Sequence, residues 1–458
     1  MADINVKVGQ KFPLTIKRLG INGEGIGYYK RKATFVPDAL PGEVVLVQVT
    51  RVNTKYLEGR MLKIRERSKD RVKAPCPVFH LCGGCQLQHL SYPAQLDYKQ
   101  QIIKDSLERY AGHISADKVK ATIGMEEPFR YRNMNLFPVE KSGRTIRAGL
   151  YKEQSNTLID IDDCIVQDNR TMTVTNEVKR IMSELNIDVC RNPHKDNGVR
   201  FIVTRIAKHT GDIQVVLVTT TPSLNKQDML SERIMRIPGV VSVALNVNAD
   251  KESRVLGPET LIIRGEQTIR EQLEHIDYDL TPEGFFQINT EQTVVLYETI
   301  KAAVDLTGTE MVADIYCGTG GSALWLSEQA KEVRGVHFDE AAITNAVYNS
   351  ALNHLENCTF EVGEPLDKLE EWIEEGFYPD VITVNPTRAG LSFDELNVFN
   401  EIKPKTLIYI SRNPSSLAKD LAHLTKAFNV EYIQPVDMFP QTVQVEMVVK
   451  LVRKKRLG

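Results

Sequence analysis

From about residue 295 onward, the sequence repeats one order of segments: a short apolar run, a glycine-containing turn and a helical stretch. Residues 311–321, Met-Val-Ala-Asp-Ile-Tyr-Cys-Gly-Thr-Gly-Gly, place an apolar run directly before such a turn, and residues 333–336 form the next apolar run. Parallel strands need crossover connections, usually helices, so this order predicts a doubly wound parallel sheet. The glycine-rich turn allows a ligand to approach the backbone at the carboxyl end of a strand, although such turns also occur without a ligand.

The first 66 residues have a different character. They alternate short β-rich runs with turn residues, for example the runs 12–16 and 43–49 on either side of a turn at 23–28. Five short strands at this spacing predict a small closed barrel. Residues 1–75 carry 16 Lys and Arg against 7 Asp and Glu, a net charge of +9, in a chain whose overall formal charge is -3. This local basic surface indicates phosphate binding, with a merely solvated face as the alternative.

The middle of the chain mixes helical and strand-like segments. Residues 67–75 are charged and predict a linker, 92–110 have helical apolar spacing, and 120–280 alternate strand and helix patterns, which predicts an α+β domain. No apolar run approaches the roughly 20 residues that would span a bilayer, and the first residues lack the basic-then-apolar order of a signal peptide. We therefore expect a cytoplasmic protein without a membrane partner.

Three of the seven cysteines are compact in sequence, Cys76, Cys82 and Cys85, and Cys164 lies alone much further on. Structural disulfides are rare in the cytoplasm, so these four thiols suggest a metal site. Their spacing suits tetrahedral zinc as well as a [4Fe-4S] cluster, and four ordinary reduced cysteines are the remaining alternative. The other three are expected to be small buried apolar side chains, namely Cys190, Cys317 and Cys358.

These segments resemble one family over essentially the whole chain. Residues 23–28 (Gly-Glu-Gly-Ile-Gly-Tyr), 35–37 and 40–43 are similar to a TRAM domain, an OB-like RNA-binding module. Residues 76–89, which contain Cys-Gly-Gly-Cys-Gln-Leu-Gln-His, resemble the [4Fe-4S] segment of RNA 5-methyluridine (uracil-C5) methyltransferases that act on 23S ribosomal RNA. Cys164 matches the fourth ligand. The resemblance thus implies a mainly structural [4Fe-4S] cluster held by four cysteines.

The resemblance also implies an α/β multidomain protein, expected to be a monomer. Its three units would be a TRAM-like OB barrel that binds RNA, an α+β central domain with the iron–sulfur segment, and a Rossmann-like class I methyltransferase domain. We expect these units at residues 1–70, at 71–92 with 120–280, and at 93–119 with 281–458, respectively.

Several segments of the last unit resemble the S-adenosylmethionine site of the family. The glycine-rich turn matches its cofactor loop, and residues 285–289 (Phe-Phe-Gln-Ile-Asn) match a segment at the junction of cofactor and substrate. Residues 437–446 match a segment whose last residue, Glu446 here, is the base that removes the C5 proton of uracil in the family. The implied cofactor contacts are Gln287, Asp314, Tyr316, Gly318, Gly320, His337 and Asn385.

Three of the implied site residues depart from the family pattern. His337 ends a strand where the family has a carboxylate for the ribose hydroxyls, and Asn385 replaces the aspartate that helps to hold the target uracil. Arg412 occupies the position of the nucleophilic cysteine, which attacks C6 because uracil C5 is too weak a nucleophile unaided. A guanidinium stays protonated and offers no lone pair, so Arg412 cannot make this attack.

These matches and departures lead to three interpretations. The favoured one is an RNA-binding family member that folds and holds its cluster but is catalytically impaired. The second is an active S-adenosylmethionine-dependent uracil-C5 methyltransferase with an altered mechanism, for which Gln287 and Glu446 are retained. The third is an iron–sulfur protein whose cluster senses oxygen or iron and gates RNA binding. Each predicts structured RNA as the partner, ribosomal RNA before transfer RNA.

Overall fold

The computed structural model describes residues 6–153, 155–190, 196–250 and 255–455. Within these ranges the chain forms a closed barrel, two seven-stranded sheets and a separate two-stranded hairpin. None of the described helices is both long and apolar enough to cross a membrane.

The N-terminal barrel consists of β1 (Lys11–Leu19), β2 (Gly25–Tyr29), β3 (Lys32–Val36), β4 (Val44–Val52) and β5 (Tyr56–Glu66). The strands close in the order β1-β2-β3-β5-β4, which confirms the five-stranded barrel predicted from the sequence. Along β1, the alternate residues Phe12, Leu14 and Ile16 are buried and fill the interior, because successive side chains of a strand point to opposite faces.

The charged segment at residues 67–75 follows the barrel without a strand or helix, and one of its residues packs against the barrel. Arg71 returns to the barrel, where its Nε and Nη2 donate to the Glu43 carboxylate at 2.5 and 2.9 Å. Burial alone would raise the pKa of Glu43, but hydrogen bonds from Arg71 and from backbone amides bring it below its ordinary value. This buried pair fixes the direction in which the chain leaves the barrel.

The central domain contains the α+β arrangement expected from its patterns. Its strands are β6 (Met134–Ser142), β7 (Thr145–Tyr151), β8 (Leu158–Asp160), β9 (Val199–Ile206), β10 (Ile213–Thr219), β11 (Val240–Val247) and β12 (Glu259–Gly265). They form one sheet in the order β12-β11-β10-β9-β6-β7-β8. Helix α1 (Tyr92–Tyr110) precedes this sheet in the chain, and α2 (Asn169–Leu185) and α3 (Gln227–Met235) pack on one of its faces.

The C-terminal sheet is the doubly wound sheet predicted from the repeated strand–turn–helix order. After the hairpin β13 (Ile269–Leu273) and β14 (Ile276–Leu280), its strands are β15 (Met311–Ile315), β16 (Glu332–His337), β17 (Cys358–Val362), β18 (Val381–Val384), β19 (Thr406–Ser411), β20 (Phe428–Val436) and β21 (Glu446–Arg453). The helices are α4 (Thr290–Val304), α5 (Gly321–Ser327), α6 (Glu340–Leu352), α7 (Pro365–Glu374), α8 (Phe393–Ile402) and α9 (Pro414–Leu424).

The strand order of this sheet, β17-β16-β15-β18-β19-β21-β20, decides where a ligand can bind. The first five strands are parallel, and β21 runs antiparallel to both β19 and β20. The order reverses between β15 and β18, which opens a crevice at their carboxyl ends. Ligands of doubly wound sheets bind at this switch point.

Helix α1 packs with the C-terminal sheet, although it precedes the central domain. Its buried Ile103 and Leu107 lie in the same apolar cluster as Tyr409 of β19 and Leu421 of α9. A buried ion pair also joins this helix to the segment before β21.

Lys99 of α1 and Asp437 are both fully buried, and Lys99 Nζ donates to Asp437 Oδ1 at 2.5 Å. Lys99 Nζ also donates to the Phe439 carbonyl at 3.0 Å, and the Tyr92 hydroxyl donates to Asp437 Oδ2 at 3.0 Å. The pair therefore holds the stretch that leads into Glu446.

Candidate functional site

A cleft of about 1110 Å³ lies at the carboxyl edge of the C-terminal sheet. Tyr316 follows β15, His337 ends β16, Asn385 follows β18 and Arg412 follows β19, and all four line the cleft. The opposite wall includes Leu136 of the central sheet and loops that precede α4. Ordinary ligand pockets measure about 300–1,000 Å³, so this cleft has room for a cofactor and part of a second ligand.

Two glycines of the turn after β15 have different roles. Gly318 lines the cleft at a φ of +57°, and a Cβ placed there would meet no atom within 4 Å. Gly320, at a φ of +83°, is not among the lining residues, and a Cβ there would lie 2.9 Å from Phe360 Cζ. Gly318 therefore leaves space for a ligand, whereas Gly320 allows the turn to pack on the sheet.

Asp314 is buried and is not among the residues that line the cleft. Its buried carboxylate accepts hydrogen bonds from Thr383 Oγ1 at 2.6 Å and from Ser322 Oγ at 2.9 Å. Burial raises the pKa of Asp314 to about 6, and these hydrogen bonds oppose the rise. Asp314 thus ties β15 to β18 and to α5, and it shapes the glycine turn from behind.

His337 presents a donor to the cleft. Its Nδ1 accepts a hydrogen bond from the Asp339 backbone amide at 3.0 Å, so in the neutral ring Nε2 carries the proton. Burial lowers the pKa of His337, which keeps the ring neutral near pH 7. The exposed ring of Phe338 stacks on it with ring centroids 4.3 Å apart.

Glu446 lies beneath the floor of the cleft. It begins β21, which runs antiparallel to β19 with Ser411 opposite Met447. Glu446 therefore lies at the carboxyl end of β19, near Arg412. The side chain is fully buried, is not among the lining residues, and neither carboxylate oxygen has a hydrogen-bond partner among the described residues. Burial raises the pKa of Glu446 to about 7, and the charge of Arg412 partly opposes the rise.

The side chains of Arg412, Asn385 and Gln287 also line the cleft. Within the part of the chain that the structure describes, no group accepts a hydrogen bond from the half-buried Arg412 guanidinium or forms an ion pair with it. Asn385 Oδ1 is also buried without a partner. Gln287 lines the cleft, and the Asn133 side-chain amide donates to the Gln287 backbone carbonyl at 2.9 Å.

A second cavity, of about 160 Å³, lies between the cysteine segment and the central sheet. The four cysteines singled out from the sequence, Cys76, Cys82, Cys85 and Cys164, all line it. The Gly84 amide donates to Cys82 Sγ at 3.3 Å. Burial, together with the neighbouring cysteines, raises the pKa of the Cys85 thiol to about 12, and a hydrogen bond with Gln88 opposes the rise. Among the described residues, no three His, Cys, Asp or Glu side chains converge closely enough to hold a single metal ion.

The cysteine segment also supports the cleft. The Gln86 and Leu87 amides donate to the Gln441 carbonyl at 3.1 and 3.0 Å, five residues before Glu446. The cysteine segment also contacts the barrel, where Gly23 packs against this segment and against Val443. The remaining cysteines are buried as predicted, and Cys317 also lines the cleft.

Some residues at the site had not been singled out from the sequence. Lys99 and Tyr92 anchor the segment before Glu446, and Phe338 is an exposed aromatic residue that lines the cleft. A lysine within the apolar stripe of a predicted helix is a signal that could have identified Lys99. The role of Tyr92 depends on contacts over more than 300 positions and left no local signal.

Comparison with known proteins identifies the family. A TRAM domain model matches residues 5–62, and a tRNA (uracil-5-)-methyltransferase model matches residues 91–454. An uncharacterized RNA methyltransferase of Bacillus cereus is 45% identical over 450 residues, which cover 98% of each chain. Another from Listeria monocytogenes is 42% identical over 457 residues, which cover 98% of this chain and 99% of the relative.

A solved structure shares the fold over nearly the whole chain. The Pyrococcus abyssi tRNA (uracil-54, C5)-methyltransferase, in complex with S-adenosyl-L-homocysteine, is 28% identical with a TM-score of 0.74. The match covers 96% of this chain and 100% of that one. With its TRAM barrel and its doubly wound C-terminal domain, this chain belongs to the tRNA (uracil-5-)-methyltransferase family of S-adenosylmethionine-dependent RNA methyltransferases.

Proposed function

We propose that this protein binds structured RNA and S-adenosylmethionine in its cleft but does not methylate uracil C5 by the covalent route of its family. The observation that carries the proposal is that Arg412 lines the cleft; the resemblance implies that it occupies the position of the nucleophilic cysteine. Its guanidinium cannot attack C6, and loss of a covalent nucleophile costs several orders of magnitude in rate. Ribosomal RNA is the first expected partner and transfer RNA the second, with the +9 charge of residues 1–75 as the electrostatic support.

The cleft fits an S-adenosylmethionine site, because Gly318 leaves its backbone open to a ligand at the switch point of the sheet. Gln287, Tyr316, His337 and Asn385 would contact the cofactor directly, and Asp314 and Gly320 would hold the loop in shape. S-adenosylmethionine supplies an electrophilic methyl group when bound. His337 would donate from Nε2 to a ribose oxygen, where a carboxylate would accept from the hydroxyls.

The two glycines of the cofactor loop give a matched pair of variants. We expect Gly318→Ala to weaken S-adenosylmethionine binding by at least about tenfold with a stability loss of only about 1 kcal/mol, because its Cβ enters open cleft space. Gly320→Ala should instead destabilise the fold by about 2–4 kcal/mol, through its left-handed φ and its contact with Phe360. Calorimetric titration and thermal unfolding would measure both; unchanged cofactor affinity in Gly318→Ala would contradict the assignment.

We also propose that the four cysteines hold a [4Fe-4S] cluster. A water needs only about 10–15 Å³, so the cavity of about 160 Å³ admits a group much larger than one metal ion. In such a cluster each cysteine binds a different iron, so the ligands surround the group instead of converging on one point as around zinc. The cluster would be structural, since its segment supports both the barrel and the stretch before Glu446.

Cluster assembly can be tested on anaerobically purified protein. We expect about four iron and four sulfide per chain. Cys164→Ala should lose most of both, whereas the control Cys190→Ala, on a cysteine that is not at the cavity, should keep them. Bound zinc without sulfide would contradict the proposal.

The contacts of α1 support the division of the chain expected from the resemblance. We assign residues 93–119 with 281–458 to the methyltransferase domain, because α1 shares its apolar cluster and its Lys99–Asp437 pair. Residues 71–92 with 120–280 form the central domain, and residues 1–70 form the barrel.

A second candidate function, methyl transfer by an altered mechanism, is favoured by Glu446. With a pKa of about 7, this carboxyl group is suited to take up a proton near neutral pH. A third candidate, cluster-gated RNA binding, is favoured by the hydrogen bonds between the cysteine segment and Gln441. It predicts that cluster loss changes RNA affinity at any cofactor concentration.

The deciding experiment is methyl transfer from labelled S-adenosylmethionine to unmodified ribosomal and transfer RNA. Wild type, Arg412→Cys and the matched control Arg412→Ser would be compared, with RNA binding measured on the same samples. We expect bound RNA but no label in the wild type and in Arg412→Ser. Label in Arg412→Cys alone would show that the rest of the cleft is competent. Label at uracil C5 in the wild type would contradict the proposal and favour the second candidate.

A further inference from the structure

Three side chains at the ends of β18 and β19 present unpaired hydrogen-bond donors to the cleft. Asn385 follows β18, Thr387 lies two residues further on, and Arg412 follows β19; all three line the cleft. Among the described residues, neither the half-buried Arg412 guanidinium nor the exposed Thr387 hydroxyl has a hydrogen-bond partner. These three side chains are called the donor cluster below.

The Asn385 side chain turns its nitrogen, and not its oxygen, to the cleft. Its Oδ1 is buried without a partner, whereas Nδ2 is not buried and donates to no described residue. The unpaired oxygens of Glu446 lie below the cleft and do not line it. The donor cluster therefore offers N–H groups and one hydroxyl to a ligand, but no carboxylate or carbonyl oxygen of its side chains. Such a surface favours an anion.

No carboxylate of the described residues neutralises Arg412 through an ion pair. The oxygens of Glu446 accept no hydrogen bond from it. Carboxylates that line the cleft stand on other segments, at Asp250, Glu283 and Asp339, and the Asp339 side chain caps the first turn of α6. Since Arg412 is half removed from water, its charge attracts an anion more strongly than a charge on the open surface does.

The position of the donor cluster decides between the available anions. The cofactor contacts expected at Gly318 and His337 follow β15 and end β16, whereas β18 and then β19 lie on the other side of β15. Neighbouring strands are about 4.8 Å apart, so Arg412 stands roughly 10 Å from the end of β15. The donor cluster is thus available to a second ligand, and the anionic group of an RNA strand is its phosphate.

We propose that Arg412, the Asn385 amide and the Thr387 hydroxyl form a phosphate site, which holds the backbone of a single RNA strand at the position that the resemblance assigns to the target base. This inference rests on the proposed function, which places RNA in the cleft. The fork of Arg412 matches two phosphate oxygens. Asn385 Nδ2 carries two N–H groups, so it can serve the cofactor and the phosphate together.

Two departures from the family pattern change the site in the same direction. One replaces a carboxylate by the amide of Asn385, and the other replaces a thiol by the guanidinium of Arg412. Each change adds N–H donors and removes a group that is negative when ionised. Because every nucleotide carries the same phosphate, this site would position an RNA strand without selecting a base.

The test is the salt dependence with which the full-length protein binds short single-stranded RNA. Oligouridine, oligoadenosine and oligocytidine of equal length would be compared. Each neutralised phosphate contributes about 0.7 to the slope of log affinity against log salt concentration. We expect Arg412→Gln to lower the slope by about 0.7 and the affinity by about tenfold or more, by the same factor for all three sequences.

Arg180→Gln is the matched control, because it removes the same charge from an exposed, ion-paired arginine of α2 outside the cleft. Its slope should equal that of the wild type. Thr387→Val should weaken binding by about threefold, and Asn385→Asp, which places a negative charge in the cluster, by about tenfold. An unchanged slope in Arg412→Gln would overturn the phosphate site. So would a loss confined to one sequence, because that outcome assigns Arg412 to a base.

Two further measurements identify the source of the anion. A slope change with 5′-hydroxyl oligonucleotides assigns an internal phosphodiester, and a change seen only with 5′-phosphorylated ones assigns the end of the strand; both support the phosphate site. Weaker S-adenosylmethionine binding by Arg412→Gln, with RNA affinity unchanged, would overturn it, because Arg412 would then hold the carboxylate of the cofactor. A wild type that binds no RNA would contradict the proposed function itself, whereas RNA binding that is insensitive to Arg412→Gln would contradict only this inference.

Discussion

Replacing Lys99 by Met is expected to lower the free energy of unfolding by about 3–5 kcal/mol, because it leaves the Asp437 carboxylate charged and buried without its partner. Both side chains are fully buried, and burial lowers the pKa of Lys99 while the adjacent carboxylate opposes that shift. The contact with Asp437 thus favours the charged form of Lys99. Chemical denaturation with separate probes for the domains would measure the loss.

The double variant Lys99→Met with Asp437→Leu is the control for this prediction. Removal of both charges eliminates the unpaired group, so the double variant should be clearly more stable than Lys99→Met alone. Hydrogen exchange should localise the effect of the single variant to α1 and residues 437–446. A single variant as stable as the wild type would show that the pair does not anchor this segment.

Glu446→Gln is expected to stabilise the protein at alkaline pH by about 3 kcal/mol, with the gain vanishing toward acid. The folded state raises the pKa of this carboxyl group from 4.5 to about 7. Between these values the folded chain keeps a proton that the unfolded chain has lost, so stability falls as pH rises toward 7. Above pH 7 the whole cost of the buried charge is present, whereas glutamine has no charge to bury.

Unfolding of both proteins across pH 4.5 to 8 would measure this difference. Glu43→Gln is the matched control with the opposite sign, since Arg71 and backbone hydrogen bonds hold the pKa of Glu43 below its ordinary value. Its replacement should cost stability at neutral pH, and the cost should shrink as pH falls below 4.5. A pH-independent effect of Glu446→Gln would show that Glu446 stays ionised in the folded state.

Much of the fold could be predicted from local patterns. The barrel strands, α1 and the doubly wound sheet all appear where alternation, helical spacing and the strand–turn–helix order indicate them. These signals are local, because the period of side chains along a strand or helix is set by backbone geometry. The segment at residues 67–75 was predicted less well, since one of its charged residues, Arg71, pairs with Glu43 instead of facing solvent.

The candidate site could be predicted only in part. His337, Asn385 and Arg412 were identified because their segments resemble motifs of the family's site, and all three line the cleft where the parallel strands end. The cofactor contact expected of Asp314 stays a prediction, and hydrogen bonds from Thr383 and Ser322 hold its carboxylate behind the loop. Which neighbour a side chain meets depends on strands that are adjacent in space and distant in the chain.

The family, the order of the elements and the identity of Arg412 follow from the amino-acid sequence alone, because they depend on residue type and local spacing. The tertiary structure decided which polar groups are left without partners. The sequence around Glu446 gives no sign that its pKa is raised, and the sequence around Arg412 gives no sign that it lacks an ion pair with any described residue. Both properties arise from burial and from contacts between distant segments, and these exist only once β19 and β21 lie side by side.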